Sequence, residues 1–511
     1  MKAKPFRFTK LQDLFSIDPR SLAFFRVTLA LLIIFDLIVR ATSLRAHYTD
    51  FGLLPRGPLL EAFSSPWRIS IHYASGMAWF QGLLFLLNGL FASMLLFGYR
   101  TPLATFLCWF FMISLHNRNV MVLQAGDLYF HQLLFWSLFL PLGASFSLDR
   151  QLAKEDFPLK LSKLFVSMGS AGFFLQVAFV YWFTFLHKIT GNAFLVWWKE
   201  AAGVYRALHV DQFTTPFGYF VLGFPPLVTF LNYAVILFEG LGPFLLLSPV
   251  ANSTFRLYGV FGFIAMHMGF NACMVLGPFP WVCSIAVLPF LPSFFWDWVL
   301  SRRFFARIVP KFDLAGYFKK LSYKPRHFIA VHPGWLANLF AAVSLVFILW
   351  WNIGNVFPKL AMPKHLHGYG MTLYLDQQWA MFSPPLTDDG WYVIPGKLRN
   401  GKEVDVFTDG GPVKWEKPRL VAYTYKMERW RKYMMNLWLR EHAPYRQYYG
   451  RYLCRDWNER HKGDEQLEQF EIIFMREDTL PDYQYSPPQK VLLWKHWCFK
   501  VPDEELKRSS K

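Results

Sequence analysis

A chain of 511 residues with 54% hydrophobic and 19% aromatic residues, at a mean hydropathy of +0.22, is too apolar for an ordinary soluble protein. Its net charge of +18 does not indicate nucleic-acid binding, because the Lys and Arg residues flank apolar runs and no nucleic-acid motif accompanies them. Composition therefore predicts a polytopic protein whose main partner is the lipid bilayer.

Nine stretches of roughly 17 to 25 mostly apolar residues are long enough to cross a bilayer as helices. They predict an all-α polytopic membrane bundle of about nine transmembrane helices. The predicted spans lie near residues 22–39, 77–97, 103–117, 128–147, 166–187, 217–248, 258–276, 279–297 and 334–353.

Basic residues set the predicted orientation in a multi-pass cell (inner) membrane. The N-terminus is basic but has no signal-peptide pattern, so we expect it to stay attached and cytoplasmic. By the positive-inside rule, the basic segments Arg150–Lys163 and Arg302–Arg326 are also cytoplasmic. Nine spans satisfy both assignments, and they put the loop after Lys188 and the whole chain after Asn355 on the extracytoplasmic side.

These assignments divide the chain into five predicted parts. They are a cytoplasmic N-terminal segment, a transmembrane domain, a basic cytoplasmic linker, a last transmembrane helix and an extracytoplasmic soluble domain, at residues 1–16, 17–297, 298–333, 334–355 and 356–511.

The predicted soluble domain has an α+β pattern. An amphipathic helix pair is followed by an alternating strand, and alternation around Arg399-Asn400-Gly401 predicts a β-hairpin. A disulfide between Cys454 and Cys498 is possible if this domain lies in an oxidising compartment, but spacing alone does not establish bridging geometry.

Signatures of common enzymes are missing. The sequence contains no GxxxxGK[ST], GxGxxG, HExxH or CxxC motif, so nucleotide hydrolysis, dinucleotide oxidoreduction and ordinary zinc hydrolysis have no support. Transport would favour internal repeats or discontinuous helix pairs, and neither is evident. We predict no metal site.

Polar residues within the apolar spans are the main functional signal, because ionisable groups at membrane depth are costly and usually face a cavity or a partner. Arg26 and Asp36 are about 15 Å apart along one helix, so each is expected to need a partner on another helix. Lys188, at the end of the fifth span, could instead snorkel to the headgroups. The set comprises Arg26, Asp36, Asn88, Asp127, His131, His187, Lys188, Glu239, His267 and Asn271.

Six segments of the sequence carry a resemblance to a known family: DPRSLAFFRVTLALLIIFD (18–36), HYTDFGLLPR (47–56), FGYRT (97–101), SFSLD (145–149), FLHKIT (185–190) and DQQWAMFSPPLTDDGWYVIPGKL (376–398). Together they resemble the vitamin K-dependent γ-carboxylase-like transmembrane family, also called the HTTM family, in its bacterial form. The resemblance covers roughly residues 16–297 and returns in residues 376–398, which look like the W-x-MF-x-P and DGW pattern of bacterial members.

The resemblance implies a mechanism. In the carboxylases a lysine deprotonates reduced vitamin K, which reacts with oxygen to form a strong base that removes a γ-proton from glutamate before carbon dioxide adds. Lys188 falls where that lysine falls, and His267 matches a family histidine. The family's Asn-Asn-His run is replaced here by LQAGDLYFHQ, with Asp127 in its place and His131 one turn later.

Two hypotheses follow. The first is a carboxylase-like membrane enzyme, with Lys188 as base, His267 and Asp127 as orienting or proton-relay groups, and a reduced quinone or other lipid-soluble molecule held with the help of His131, His187 and Asn271. The second is a non-catalytic scaffold that presents the C-terminal domain to a protein partner for envelope assembly. Fold alone does not choose between them.

Overall fold

The computed structural model describes residues 10–63, 65–152, 164–302, 334–480 and 484–499. It is mostly helical and ends in a small antiparallel sheet. Within these residues the bundle has ten helices, α1 to α10: Pro19–Ala41, Ala78–Phe97, Thr101–Arg118, Ala125–Ser137, Met168–Lys188, Pro225–Leu246, Asn252–Cys273, Phe279–Ala286, Ser293–Ser301 and Trp335–Val356. Shorter helical segments lie at Leu11–Leu14, Leu44–Tyr48, Arg56–Phe63, Leu148–Leu152, Gly191–Phe194, Gly203–Leu208, Pro216–Leu222 and His367–Leu373.

Five bundle helices, α1, α2, α5, α6 and α10, are long and apolar enough to cross a membrane, and α8 with its 3-10 extension and α9 form a sixth candidate bent by 94°. These helices are compatible with a multi-pass membrane protein, while the count of nine spans is not confirmed. The predicted fourth span is a helix of only 13 residues, about 20 Å long, and it ends before Pro141. Pro289 and Pro292 interrupt the predicted eighth span, because proline removes a backbone donor and clashes with the preceding turn.

The two ends of α1 lie at opposite ends of the bundle. Near its start, Ile17 pairs with Phe165, which precedes α5, and Arg256 of α7 donates to the carbonyl of Ser16 at 3.0 Å. Near its end, Asp36 accepts from Arg429 of the C-terminal region. Since α1 has 23 residues and is therefore about 34 Å long, the N-terminal residues and the C-terminal domain are separated by the depth of the bundle.

The C-terminal domain contains a six-stranded sheet and two helices. The strands β1 to β6 are Asp388–Val393, Pro395–Leu398, Glu403–Asp405, Leu467–Leu480, Gln484–Tyr485 and Gln489–Trp497. The long strand β4 is central, with β1, β2, β5 and β6 all antiparallel to it. The predicted hairpin is present as β2 and β3, and the predicted helix pair as α11 (Glu428–Trp438) and α12 (Arg446–Arg460).

The boundary of the C-terminal domain differs from the predicted one at residue 356. Leu375 and Trp379 are fully buried in the core of the bundle, and the core of the sheet begins at Trp391. That sheet core also includes Leu53, Leu54 and Met121 from the loops that follow α1 and α3. The bundle and the C-terminal domain, called the sheet domain below, therefore exchange segments, and residue 356 is not a boundary between them.

Other predicted features lie partly outside the described residues. These are residues 1–9 of the N-terminal segment, 153–163 of the first basic segment and 303–333 of the predicted linker. The described start of that linker belongs to α9, which extends to Ser301. Cys454 and Cys498 are joined in a disulfide between α12 and the end of β6.

Candidate functional site

Lys188 ends α5 on a buried polar face of that helix. The helix starts with a capping box, in which the side chains of Ser167 and Ser170 each accept from the other's backbone N–H. Residues three, four and seven apart lie on the same side of a helix, so Tyr181, Thr184 and Lys188 share one face. All three are buried, and α5 therefore carries three polar groups along its interior side.

Lys188 forms an ion pair inside the bundle. Its Nζ donates to both carboxylate oxygens of Glu239 on α6, at 2.6 and 2.7 Å, and lies 4.3 Å from the ring centre of Trp197. The lysine is 3% exposed and the glutamate 5%. The snorkelling interpretation is therefore wrong, because the ammonium group is directed into the protein rather than toward headgroups.

His267 lies next to the polar face of α5. Its Nε2 is 2.9 Å from the hydroxyl of Tyr181, whose ring stacks on Phe263 at 4.0 Å, while Phe279 contacts the imidazole edge-on. His267 Nδ1 is buried without a hydrogen-bond partner. Tyr181 therefore connects His267 to the face of α5 that carries Lys188, although no hydrogen bond joins His267 to Lys188 directly among the described residues.

The structure gives His187 and Asn271 less defined positions. His187 precedes Lys188 but lies about 100° away around the helix and is half-buried. Asn271 is one turn beyond His267 on α7 and is also half-buried. In the part of the chain that the structure describes, neither side chain forms a hydrogen bond with another residue.

Asp127 belongs to a separate ion network at the end of α4. Its carboxylate accepts from Arg40 of α1 at 2.6 Å and from Arg429 of α11 at 2.6 and 2.9 Å. Asp36 accepts from the same two arginines, at 2.6 and 2.8 Å. Asp127 also accepts from the backbone N–H of Gln124, capping its own helix. Its hydrogen bonds thus join α1, α4 and the C-terminal domain.

This network meets the geometric requirement for a metal site but is not suited to one. Asp36, His116 and Asp127 each offer a ligand atom within 4.8 Å of the others. Two guanidinium groups already donate to both carboxylates, so the two negative charges are balanced by two positive ones. Adding a divalent cation would bury uncompensated charge, which is strongly unfavourable.

His131 contacts this network through a second histidine. Its Nε2 is 2.6 Å from Nδ1 of His116 on α3, and Nε2 of His116 is 2.8 Å from a guanidinium nitrogen of Arg40. The ring of His131 also meets the ring of Tyr374 edge-on, at 4.7 Å. Both histidines are completely buried.

The six predicted site residues therefore do not form one hydrogen-bonded cluster. Lys188 pairs with Glu239, His267 pairs with Tyr181, and Asp127 with His131 belongs to the arginine network. The first two groups share the interior face of α5. Arg26, which was expected to pair with another helix, instead donates to three backbone carbonyls of the loop after α4, those of Leu142, Ser145 and Phe146.

Part of the segment 376–398, which begins with DQQW, lies inside the bundle. Gln377 exchanges hydrogen bonds with Gln176 of α5, at 2.7 and 3.2 Å, and donates to Gln132 of α4 at 3.3 Å. Its side-chain oxygen accepts from the indole of Trp379 at 2.5 Å. Further along, the carbonyl of Phe382 accepts from the indole of Trp197, the ring that contacts Lys188. The segment matched by resemblance thus reaches the surroundings of the predicted base.

Several residues of these sites were not predicted as site residues. Glu239 was visible as an acid in an apolar span, and pairing of opposite charges at membrane depth could have assigned it to Lys188. Tyr181 and Trp197 look like ordinary aromatic residues of apolar segments. Arg429 lies in a water-facing amphipathic helix, so no local signal places it against Asp36 and Asp127.

Chemically, the interior face of α5 combines a proton donor and acceptor pair with a tyrosine and a histidine, surrounded by aromatic rings. Such a surface suits an apolar molecule with a few polar atoms. Comparison of the chain with protein-family models, curated proteins and solved structures finds no match.

Proposed function

We propose that this protein is an integral membrane enzyme of the carboxylase-like HTTM class, in which Lys188 acts as a base toward a lipid-soluble substrate with a reduced quinone as cofactor. The observation that carries the proposal is the buried pair of Lys188 and Glu239, held at 2.6 Å next to the Tyr181–His267 pair. Ionisable groups kept at membrane depth commonly mark a functional path.

The pair provides a route to a neutral amine. A low dielectric disfavours separated charges, and a proton that moves along the Nζ–carboxylate hydrogen bond converts the ion pair into an amine and a carboxylic acid. The amine is then able to accept a proton from a bound substrate, and Glu239 retains the proton it received. Trp197 covers the ammonium position and helps to keep water away.

The surroundings fit an aromatic ligand with polar oxygen atoms. His267 Nδ1 and the hydroxyl of Tyr129 are both buried and without partners in the described chain, although buried polar groups are normally hydrogen-bonded. Tyr129 also contacts Trp379 edge-on at 5.5 Å. A reduced quinone, when bound, would supply the acidic hydroxyl and the reducing electrons of the carboxylase reaction. His267 would orient it, with Asn271 one turn away.

For location, we propose a multi-pass cell membrane protein with a cytoplasmic N-terminus and an extracytoplasmic sheet domain. The Cys454–Cys498 disulfide supports this orientation, because disulfides persist mainly in oxidising compartments. In this proposal α3, α4, α7 and the α8–α9 pair, which are shorter, less apolar or bent, cross the bilayer shielded by the five long apolar helices.

Exchange of Lys188 tests the proposed activity. Lys188→Arg keeps the positive charge but cannot be deprotonated in this range, so we expect it to fail to complement a deletion strain, as should Lys188→Ala. Lys199→Arg, at an exposed position after α5, is the matched control and should complement fully. Full complementation by Lys188→Ala would contradict the proposal, provided that membrane levels of the variants are equal.

A non-catalytic scaffold is the second candidate, and one observation favours it. The sheet domain has an aromatic-lined cavity with Trp430, Tyr452 and Trp457 in its wall and Asp409 with Arg460 at its mouth. On this hypothesis the exposed pair Asp409 and Arg460 contacts the partner. Replacing both by Ala should then abolish complementation while Lys188→Ala preserves it, the opposite of the result expected for the enzyme.

A further inference from the structure

A directional chain of hydrogen bonds runs from α1 to α4 on the side of α4 away from Tyr129. Arg40 Nη2 lies 2.8 Å from His116 Nε2, and His116 Nδ1 lies 2.6 Å from His131 Nε2. Residues 129 and 131 differ by about 200° around a helix. The chain is therefore separate from the Lys188 and His267 surroundings.

The direction of this chain follows from what each group can donate. Arginine has five N–H donors and no acceptor, so His116 Nε2 must be the unprotonated, accepting nitrogen. His116 then carries its proton on Nδ1 and donates to His131 Nε2. His131 Nε2 is consequently an acceptor, and the only proton of its neutral ring is on Nδ1. Neither ring can become an imidazolium without breaking one of these bonds.

The chain ends in a buried donor with no partner. His131 Nδ1 has no hydrogen bond in the described structure, and the whole side chain is inaccessible to solvent. Leaving such a buried donor unpaired is unfavourable, because its hydrogen bonds to water are lost and not replaced. Tyr374, whose ring contacts the His131 ring edge-on at 4.7 Å, has a left-handed backbone with φ of +58°, an uncommon conformation for a bulky side chain.

The charges around His131 are already paired. Arg40 is held by Asp36 and Asp127, and Arg68, whose guanidinium lies 4.6 Å from the ring centre of Tyr374, is held by Asp376. An anionic ligand would add an uncompensated buried charge. A neutral acceptor, such as a carbonyl oxygen on an apolar molecule, would satisfy Nδ1–H without that cost.

We infer that His131 is a fixed hydrogen-bond donor for the carbonyl oxygen of a lipid-soluble ligand, at a site on α4 separate from Lys188, and that Arg40 positions this donor through His116. The carbonyl comes from a quinone ring or from the acyl ester of a membrane lipid. Arg40 acts through His116, because four of its five N–H donors are engaged by Asp36, Tyr48, His116 and Asp127.

Nitrogen NMR of the full-length protein labelled with ¹⁵N-histidine tests this inference, with His131→Asn used to identify the resonances of His131. In bilayers of ether-linked phospholipid, which lack acyl carbonyls, His131 should be neutral with its proton on Nδ1 from about pH 8 to about pH 5, where an ordinary histidine becomes charged. Detection of a His131 imidazolium, or of a proton on Nε2, would overturn the inference.

The ligand is tested by adding carbonyls in two separate ways. A short-chain alkyl benzoquinone in ether-linked bilayers, or ester-linked phospholipid without quinone, should displace the Nδ1 resonance of His131, and the arm that responds identifies the source. No displacement in either arm refutes the ligand assignment. This outcome is independent of Lys188, so it is distinguishable from failure of the proposed enzyme.

Variants of His116 test the positioning role. His116→Gln can accept from Arg40 and donate to His131, so the Nδ1 proton and the response to carbonyls should be retained. His116→Leu cannot do so, and we expect about tenfold weaker binding of the responding ligand, the effect of one lost hydrogen bond, together with mixed tautomers of His131. Equal binding and unchanged tautomers in both variants would exclude positioning by Arg40 through His116.

Discussion

At the scale of single residues, the Lys188–Glu239 pair has a structural cost and a proposed chemical role that can be separated. Glu239→Gln leaves a buried ammonium without its counter-charge, and breaking such a pair typically costs about 3 to 5 kcal/mol. The double variant Lys188→Met, Glu239→Leu removes both charges and should regain most of that stability. We expect thermal unfolding in detergent to give the lowest unfolding temperature for Glu239→Gln and a higher one for the double variant. The double variant should be folded but unable to complement the deletion strain.

The control for these substitutions is Lys199→Met with Glu200→Leu. These are two neighbouring charged residues that follow α5 and are exposed. Neither change there should alter the unfolding temperature appreciably, because exposed charges contribute little. A double variant of Lys188 and Glu239 that complements fully would show that the pair is only structural.

Asp389 makes the stability of the sheet domain dependent on pH. It is buried on β1, across from Glu477 of β4, and it accepts from the side-chain amide of Gln212 at 2.6 Å. Burial, followed by the nearby charge of Asp211, raises the pKa of Asp389 from 3.8 to about 7. Lys417 is bonded to Asp211 and Glu477 rather than to Asp389.

The direction of this pH dependence follows from the linkage between proton binding and folding. Because the folded state binds this proton more tightly than the unfolded state, the stabilisation is complete below about pH 4 and is lost as the pH rises through about 7, by about 4 kcal/mol in all. Asp389→Asn should therefore reduce the difference in unfolding temperature between about pH 5 and about pH 8. The exposed Asp464→Asn is the control, and an undiminished difference in Asp389→Asn would contradict the assignment.

At the scale of secondary-structure elements, α11 is fixed to the bundle by the side chain of Arg429. Without that guanidinium, Asp36 and Asp127 share only Arg40, so Arg429→Met buries one unpaired negative charge at a cost of about 3 to 5 kcal/mol. We expect faster hydrogen exchange in α11 and at the start of α4. Arg451→Met, at an exposed position on α12, should leave exchange unchanged.

A second substitution tests whether the effect of Arg429→Met comes from the unpaired negative charge or from the lost packing of the arginine side chain. Asp36→Asn, added to Arg429→Met, leaves Arg40 and Asp127 as a balanced pair and should restore slow exchange in part. If the amide hydrogens of α11 exchange in the Arg429→Met variant at the rate of the unaltered protein, the arginine does not fix α11.

The elements that sequence patterns predicted are those with clear local signals. α1 starts at Pro19 after a capping Asp18 that accepts from the N–H of Arg20, and the β2–β3 hairpin turns through Gly401 at φ +83°. The predicted fourth span was too long because the apolar run continues beyond the end of the helix to Pro141. Apolar composition alone does not indicate where a helix ends. The burial of Trp379 and the reach of Arg429 depend on contacts distant in sequence.

At the scale of the whole molecule, the exchange of segments changes what a truncation can show. Removing residues 360–511 takes away Gln377 and Trp379 from the bundle core and Arg429 from two buried carboxylates. Loss of function in such a truncation therefore does not distinguish a scaffold from an enzyme. Point substitutions at Lys188 or at the mouth of the sheet-domain cavity leave the interlocked parts in place and are the better experiment.

The same interlocking predicts a fixed orientation across the bilayer. The start of α1 and the sheet domain lie at opposite ends of a helix about 34 Å long, close to the thickness of a hydrocarbon core, so the two ends should be on opposite sides of the membrane. A cysteine introduced at exposed Gln12 and one introduced at exposed Asp464 report on these ends. The native disulfide and the buried Cys108 and Cys283 should react little with a membrane-impermeant maleimide.

In intact spheroplasts we expect the maleimide to label Asp464→Cys and to reach Gln12→Cys only after the membrane is permeabilised. The unaltered protein gives the background, including any reaction of the partly exposed Cys273. Labelling of both positions before permeabilisation would mean that α1 does not cross the bilayer. Labelling of Gln12→Cys alone would reverse the orientation and place the Cys454–Cys498 disulfide in the reducing compartment, where such bonds are rarely kept.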